Sequence, residues 1–118
     1  MTIIHEYRPI RTTVERCRQF VQNRQPFTTS NKNLYGYWLD RGGEKVYVVW
    51  SYGSHWPLHV FARDRWFSNE DKYGVTTSKH YGKSHPLGNA TKLSLHGIKR
   101  LVDGDFSVIA TVDEASAA

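Results

Sequence analysis

The chain has 118 residues, of which 39% are hydrophobic and 14% aromatic. This composition fits one folded domain with a core of a few large side chains and excludes a disordered chain. No apolar run approaches the roughly 20 residues of a transmembrane helix, and the N-terminal residues lack the basic and apolar regions of a secretory signal. The single cysteine, Cys17, excludes an internal disulfide and a cysteine-based zinc site. We therefore expect a soluble, cytoplasmic protein with a single domain over residues 1–118 and no cofactor.

The positive charge is concentrated in one segment. The formal net charge is +5, and residues 72–92 contain lysines but no Asp or Glu. These lysines are Lys72, Lys79, Lys83 and Lys92. Clustered like charges repel each other unless an anionic partner is near. The segment therefore predicts contact with phosphate or with an acidic protein surface, and the alternative is that the charge serves solubility alone.

The N-terminal part predicts a helix over about residues 12–25. Thr12 and Glu15 have the spacing of a capping box, and apolar residues follow at 14, 17 and 21, which share one helical face. Pro26 ends the pattern because proline disfavours helical geometry in the residue before it.

The middle of the chain predicts an antiparallel meander. Its strands are expected at about residues 34–39, 45–52, 56–62 and 65–68, and Gly42-Gly43 supplies the first hairpin turn. In the strand at 45–52 the even-numbered residues are mainly apolar and the odd-numbered residues are mixed. This alternation predicts a sheet packed on one side only.

The last third predicts a long loop, a helix and a strand. Residues 69–89 show no periodicity and are expected to be an irregular loop, a feature that is often functional. A helix is expected at about 91–102 and a strand at about 106–112. The predicted fold is therefore α+β, with a four- or five-stranded, mainly antiparallel sheet, one N-terminal helix and one C-terminal helix.

The loop supplies most of the candidate ligand-binding residues. Its segment TTSKHYGKSHP (76–86) combines lysines, hydroxyl groups, histidines and glycine, a mixture that suits phosphate binding. The alternative is a solvated loop whose Ser and Thr residues cap its own turns. With two neighbours from the sheet, the candidate ligand-binding residues are Lys72, Lys79, His80, Tyr81, Lys83, His85, Lys92, Tyr47 and His59.

The histidines permit two further interpretations. His80 and His85 are weak candidates for the acid and base of a phosphodiester cleavage without a metal. His55 and His59 flank Pro57, which keeps the chain extended and the two rings too far apart to share an ion. We therefore predict no metal site.

A second possible ligand surface is aromatic. The residues expected on the sheet face opposite the core are Tyr35, Tyr37, Tyr47, Phe61 and Phe67. Aromatic rings on an open sheet beside basic residues are typical of surfaces that stack single-stranded nucleic acid. The alternatives are that helices cover this face, or that it anchors a partner protein.

The segments SYGSHWPL (51–58) and TTSKHYGKSHP resemble small uncharacterised proteins encoded by bacteriophages and plasmids. The resemblance covers the middle of the chain and implies no particular activity. It implies a mobile-element origin and a bacterial host cell, where such small basic proteins bind nucleic acid or inhibit a host enzyme.

These observations lead to three functional hypotheses. The first is a non-catalytic binding module for nucleic acid or for a nucleic-acid-processing complex. The second is an accessory protein of a phage or plasmid that inhibits a host defence protein by direct contact. The third is a metal-independent nuclease that uses His80 and His85.

Overall fold

The computed structural model describes residues 8–30, 33–52, 56–71 and 74–117, with side chains described to residue 115. All seven strands belong to one mixed sheet, in which their order in space follows their order in the sequence. The strands are β1 (Ile10–Thr12), β2 (Phe27–Thr29), β3 (Leu34–Arg41), β4 (Glu44–Ser51), β5 (Trp56–Ala62), β6 (Arg65–Asn69) and β7 (Ala90–Leu93).

The centre of the sheet is a meander of four antiparallel strands, β3 to β6. Two of its turns place residues at positive φ. Gly42 and Gly43 have positive φ angles of 64° and 94°, and the Asp40 carboxylate accepts the N–H of Gly43 at 2.9 Å. Arg63 and Asp64 form the β5–β6 turn, also with positive φ.

The outer strands make the sheet mixed. β1 pairs with β2 in parallel, and β6 pairs with β7 in parallel. Parallel neighbours need a crossover connection. A short 3₁₀ turn (Val14–Arg16) and α1 (Arg18–Gln22) connect β1 to β2, while α2 (Val75–Ser84) connects β6 to β7. Two further helices follow β7, α3 (Leu95–Val102) and α4 (Ser107–Ala117).

Helices cover both faces of the sheet, so the prediction of a sheet packed on one side is wrong. On one face, α3 and α4 pack on a cluster that includes Val48, Trp50 and Val60. On the other face, residues of α1 and α2 pack on a cluster that includes Tyr47 and Val49. Each face of β4 is therefore core, which explains why the odd-numbered residues of this strand are also large.

The register also separates the aromatic residues that we expected on one face. Tyr35, Tyr37 and Phe67 lie on the face covered by α3 and α4, whereas Tyr47 and Phe61 lie on the other. Tyr35 lies opposite Trp50 and Tyr37 opposite Val48. Residues directly opposite each other share a face of the sheet, so odd-numbered residues of β3 share a face with even-numbered residues of β4.

The predicted fold class, a four- or five-stranded antiparallel sheet with one helix at each end, is therefore wrong, and three segments account for most of the error. The first is 12–25, where a strand, a 3₁₀ turn and a five-residue helix replace one long helix. Thr12 pairs with Thr29 in the sheet, and the residue that precedes the 3₁₀ turn is Thr13, whose side chain makes no capping hydrogen bond. The Glu15 carboxylate binds Lys79 Nζ at 3.4 Å instead of turning back to Thr12.

The second segment is the C-terminal part. Residues 90–93 form strand β7 beside β6, and the helix begins only after Ser94, whose hydroxyl accepts the N–H of Gly97 at 3.3 Å. The predicted strand at 106–112 is helix α4. Asp105 accepts the backbone N–H of Ser107 at 3.2 Å, as a helix-capping side chain does.

The third segment is 69–89, which contains the ten-residue helix α2. Its buried residues are Thr77, His80 and Ser84, which have helical spacing but are all polar. A search for apolar periodicity cannot detect such a helix.

Candidate functional site

The described lysines of the predicted binding segment lie at the surface of α2 and β7. Lys79, Lys83 and Lys92 are exposed, and Lys72 lies outside the described residues. Lys79 is paired with Glu15 of the 3₁₀ turn. The segment is thus a helix and a strand on the body of the protein and does not project as a long loop.

His59 is fully buried and held by hydrogen bonds at both ring nitrogens. Its Nε2 lies 3.1 Å from the carbonyl oxygen of Tyr81, which can only accept, so Nε2 carries the proton. Nδ1 then accepts the hydroxyl of Ser68 at 2.8 Å. Burial, with a smaller effect from His85, lowers the pKa of His59 from 6.5 to about 3. His59 is therefore a neutral residue that ties α2 to the sheet.

The structure places His80 and His85 in different surroundings. His80 is buried, its Nδ1 lies 2.7 Å from the hydroxyl of Ser51, and its ring lies against Tyr52. His85 accepts the N–H of Leu87 through Nδ1 at 2.9 Å, and its ring lies 5.1 Å from that of His59. Burial lowers the pKa of both His80 and His85, and nearby cations lower it further.

The last two predicted site residues belong to the core on the α1–α2 face. Tyr47 is fully buried and donates its hydroxyl to the carbonyl oxygen of Gln25 at 2.7 Å. Burial raises the pKa of Tyr47 well above its usual value, so its phenol stays protonated and donating. Tyr81 is half-buried, and its ring packs 4.8 Å from that of His59.

A different surface lies on the sheet face that carries α3 and α4. Helix α3 packs on β5, β6 and β7, and the β1–β2–β3 part of the same face borders a cavity of about 410 Å³. We call the lining residues the tyrosine face. They are Pro9, Arg11, Thr28, Tyr35 and Tyr37.

The strand register makes the residues of the tyrosine face neighbours across β1, β2 and β3. Arg11 lies opposite Thr28 across the β1–β2 pair, and Thr28 lies opposite Tyr35 across the β2–β3 pair. The rings of Tyr35 and Tyr37 are 5.5 Å apart in an edge-on arrangement, and Tyr35 also stacks on Trp50 at 5.3 Å. Both tyrosines are half-buried, so part of each side chain remains accessible.

Arginines border this surface. Arg11 also lines a second cavity of about 350 Å³, together with Thr12, Thr13, Arg16 and Ser30. Among the residues that the structure describes, no acidic side chain lines either cavity. Within the described ranges, neither Arg11 nor Arg16 forms an ion pair with a carboxylate. The two cavities thus form one basic surface joined at Arg11.

Sequence reasoning found Tyr35 and Tyr37 but not the arginines beside them. Residues 10–12 form a strand of three residues, which is too short to produce a recognisable alternation. The available signal was the pair of β-branched residues Ile10 and Thr12, which favour a strand; we had assigned Thr12 to a helix.

In the part of the chain that the structure describes, no three His, Cys, Asp or Glu side chains are grouped so as to hold a metal ion. Among the same residues, no helix has the length and apolar character needed to cross a bilayer. No family model, curated protein or solved structure matches the chain. The resemblance to phage and plasmid proteins therefore stays a prediction, and the functional argument depends on the geometry.

Proposed function

We propose that this protein is a non-catalytic binding module for single-stranded nucleic acid and that the tyrosine face is its binding surface. The observation that carries the proposal is the pair of half-buried rings, Tyr35 and Tyr37, which line a cavity beside Arg11.

The rings supply a stacking surface. Every base has an aromatic face, so stacking on tyrosine contributes about 1–3 kcal/mol per base without sequence preference. Tyr35 is fixed from behind by Trp50, and a ring already held in place loses little conformational freedom when a base binds. Two adjacent rings suit two successive bases of an unpaired strand.

The arginines supply phosphate contacts. Arg11 separates the tyrosines from Arg16 and lines both cavities, so a strand stacked on the rings has its backbone directed along the arginines. The described lining residues of both cavities include arginines and no acidic side chain, which favours an anionic ligand over a neutral one. The overall charge of +5 acts in the same direction at longer range.

Fluorescence anisotropy with labelled single-stranded oligonucleotides tests the proposal. We expect binding that weakens steeply between about 50 and about 200 mM salt, because counterions are released when phosphates are neutralised. Replacing Tyr37 by Ala is expected to weaken binding by about 1–3 kcal/mol, while Tyr37→Phe keeps the stacking. Arg11→Ala is expected to reduce the salt slope by about 1.

Lys99→Ala is the matched control for Arg11→Ala. Lys99 is an exposed cation on α3, far along the sheet from β1, and its removal changes the net charge equally. If the two variants weaken binding equally, only the overall charge matters and the tyrosine face is not the site.

If Lys83→Ala and Lys92→Ala have the larger effects, the binding surface lies on α2 and β7. If no oligonucleotide binds at low salt, nucleic-acid binding is refuted, and the hypothesis of an inhibitor acting by protein–protein contact becomes the leading one.

A further inference from the structure

Helix α2 is attached to the sheet mainly through polar groups. Its buried residues, Thr77, His80 and Ser84, are all polar. The Ser84 hydroxyl donates to the carbonyl oxygen of His80 at 2.6 Å, inside the helix, and so adds no bond to the sheet. Tyr81 packs against the core but is only half-buried, and Val75 is 89% exposed. Segments with so few buried apolar contacts open at a lower free energy than the core.

Histidines make the hydrogen bonds that join α2 to the sheet. Nδ1 of His80 lies 2.7 Å from the hydroxyl of Ser51 in β4. Nε2 of His59 in β5 donates to the carbonyl oxygen of Tyr81 at 3.1 Å, while its Nδ1 accepts the hydroxyl of Ser68 at 2.8 Å. Among the described residues, each side-chain hydrogen bond between α2 and a strand thus has an imidazole as one partner.

The attachment of α2 also keeps His59 neutral. Its buried ring lies 4.8 Å from the ring of Tyr81 and 5.1 Å from that of His85, so a proton on it would create a charge shielded from water. Burial, with a smaller effect from His85, lowers the pKa of His59 to about 3, whereas an imidazole in water has a pKa of about 6.5. Attachment of α2 and protonation of His59 therefore oppose each other.

The groups around His80 and His85 act in the same direction. The charged groups that face these two rings are cations from three elements, Lys79 of α2, Arg18 of α1 and Lys92 of β7. Burial lowers the pKa of both histidines, and these cations lower it further. Glu15 of the 3₁₀ turn also meets α2, with its carboxylate 3.4 Å from Lys79 Nζ. Both side chains of this pair are more than half exposed, so it contributes little to the attachment.

We propose that α2 separates from the sheet on acidification, as the histidines beneath it gain protons, while strands β3 to β6 stay paired. Separation places the His59 ring in water, where its positive charge is hydrated. Arg18 binds the carbonyl oxygens of Gly82 and His85 at 2.6 and 2.9 Å, and these bonds resist release equally at neutral and acid pH because arginine stays charged. The inference goes beyond the proposed function and does not depend on it, because the tyrosine face lies on the other face of the sheet.

The size of the effect follows from His59. Because its pKa is about 3 while α2 is attached and about 6.5 once the ring is in water, the released state binds more protons, and acid favours release. Between about pH 7 and about pH 5 the equilibrium constant for release rises about 25-fold through this residue. His80 and His85 add to the rise.

Amide hydrogen exchange of the full-length protein at about pH 7 and about pH 5, corrected for the intrinsic effect of pH on exchange, tests the proposal. We expect the amides of residues 80–84 to be less protected than those of β4 at both pH values, because α2 opens without global unfolding. We also expect their protection factors to fall by at least about 25-fold on acidification. If α2 and β4 are equally protected, α2 opens only with the whole protein, and if the protection of α2 does not depend on pH, its opening does not free His59. Either result overturns the proposal.

His59→Gln isolates the residue, since glutamine keeps a donor and an acceptor but does not titrate. We expect the protection of α2 in this variant to fall only severalfold on acidification. His96→Gln is the matched control, because His96 is an exposed histidine of α3 on the other face of the sheet, and it is expected to keep the full 25-fold fall, about that of the wild type. A wild-type response in His59→Gln refutes the proposal.

The ring signals of His59 in the wild type give a check that needs no variant. We expect no protonated His59 ring in molecules whose α2 amides are protected at about pH 5. If the ring gains its proton at about pH 6.5 while α2 stays protected, the helix does not respond to the charge and the proposal is overturned.

Discussion

Acidification is expected to destabilise this protein, and His59 makes a contribution that can be isolated. Its pKa is lowered from 6.5 to about 3 in the folded state because the ring is buried. Between these two values the folded protein keeps His59 neutral, while the unfolded chain binds a proton there. The unfolded state therefore binds more protons, and stability falls as the pH falls, by about 1.4 kcal/mol per pH unit. The free energy of unfolding falls by about 3 kcal/mol between neutral pH and about pH 4.5. Above about pH 6.5, His59 is neutral in both states and causes no further change.

The variant His59→Gln isolates this contribution. The glutamine amide can still donate to the Tyr81 carbonyl and accept from Ser68, but it does not titrate. We expect the variant to be less stable than the wild type at neutral pH, and the difference to shrink by about 3 kcal/mol on acidification to about pH 4.5. Urea unfolding at a series of pH values gives the free energy of unfolding of both proteins. The contributions of His80, His85 and the carboxylates are common to the two, so they cancel in the difference.

Ser68→Ala is the control for the hydrogen bond. It leaves the buried Nδ1 of His59 without a donor, which is expected to cost about 1–3 kcal/mol at all pH values without removing the acid dependence. If wild type and His59→Gln lose stability in parallel between about pH 6.5 and about pH 4.5, the reasoning is refuted, because His59 would then titrate equally in the folded and unfolded states.

Two further predictions concern packing. Gly36→Ala would place a Cβ 2.5 Å from the Tyr47 hydroxyl oxygen and 2.7 Å from a ring carbon of Phe27, so thermal unfolding should show a loss of about 1–3 kcal/mol. Gly82→Ala, which meets no atom within 4 Å, should be neutral or stabilising by up to about 1 kcal/mol, and equal effects of the two substitutions would contradict the packing around Gly36. Burial raises the pKa of the Cys17 thiol to about 11, so a thiol reagent at neutral pH should modify it only after denaturation, and rapid labelling of the native protein would show that Cys17 is accessible.

The sequence predicted those strands whose pattern is local. The central strands β3 to β6 are long enough for alternation to be visible, and their hairpins carry glycine or an Arg-Asp pair. The strands β1, β2 and β7 have three or four residues each. So short a segment forms a strand because a neighbouring strand provides hydrogen bonds, and the sequence of the segment does not record that neighbour.

Helix α4 is a second case in which the local sequence pattern did not determine the secondary structure. Its segment contains Val108, Ile109 and Val112, and a β-branched run favours a strand on propensity alone. In the structure Val108 and Ile109 belong to the core cluster on the α3 side of the sheet and Val112 packs against it, and Asp105 accepts the backbone N–H of Ser107 at the start of the helix. Tertiary packing therefore overrode the local preference.

The candidate sites depend mostly on contacts between residues that are far apart in the sequence. The sequence established the basic character of the protein, the aromatic strands and the concentration of lysines and histidines in residues 72–92. Only the tertiary structure decided that His59 and His80 face inward, that Tyr35 and Tyr37 line a cavity on the sheet face that carries α3 and α4, and that Arg11 lies beside them. The physical reason is that burial and exposure depend on which elements pack against each other across long separations in the chain, and these contacts form only when the whole sheet is assembled.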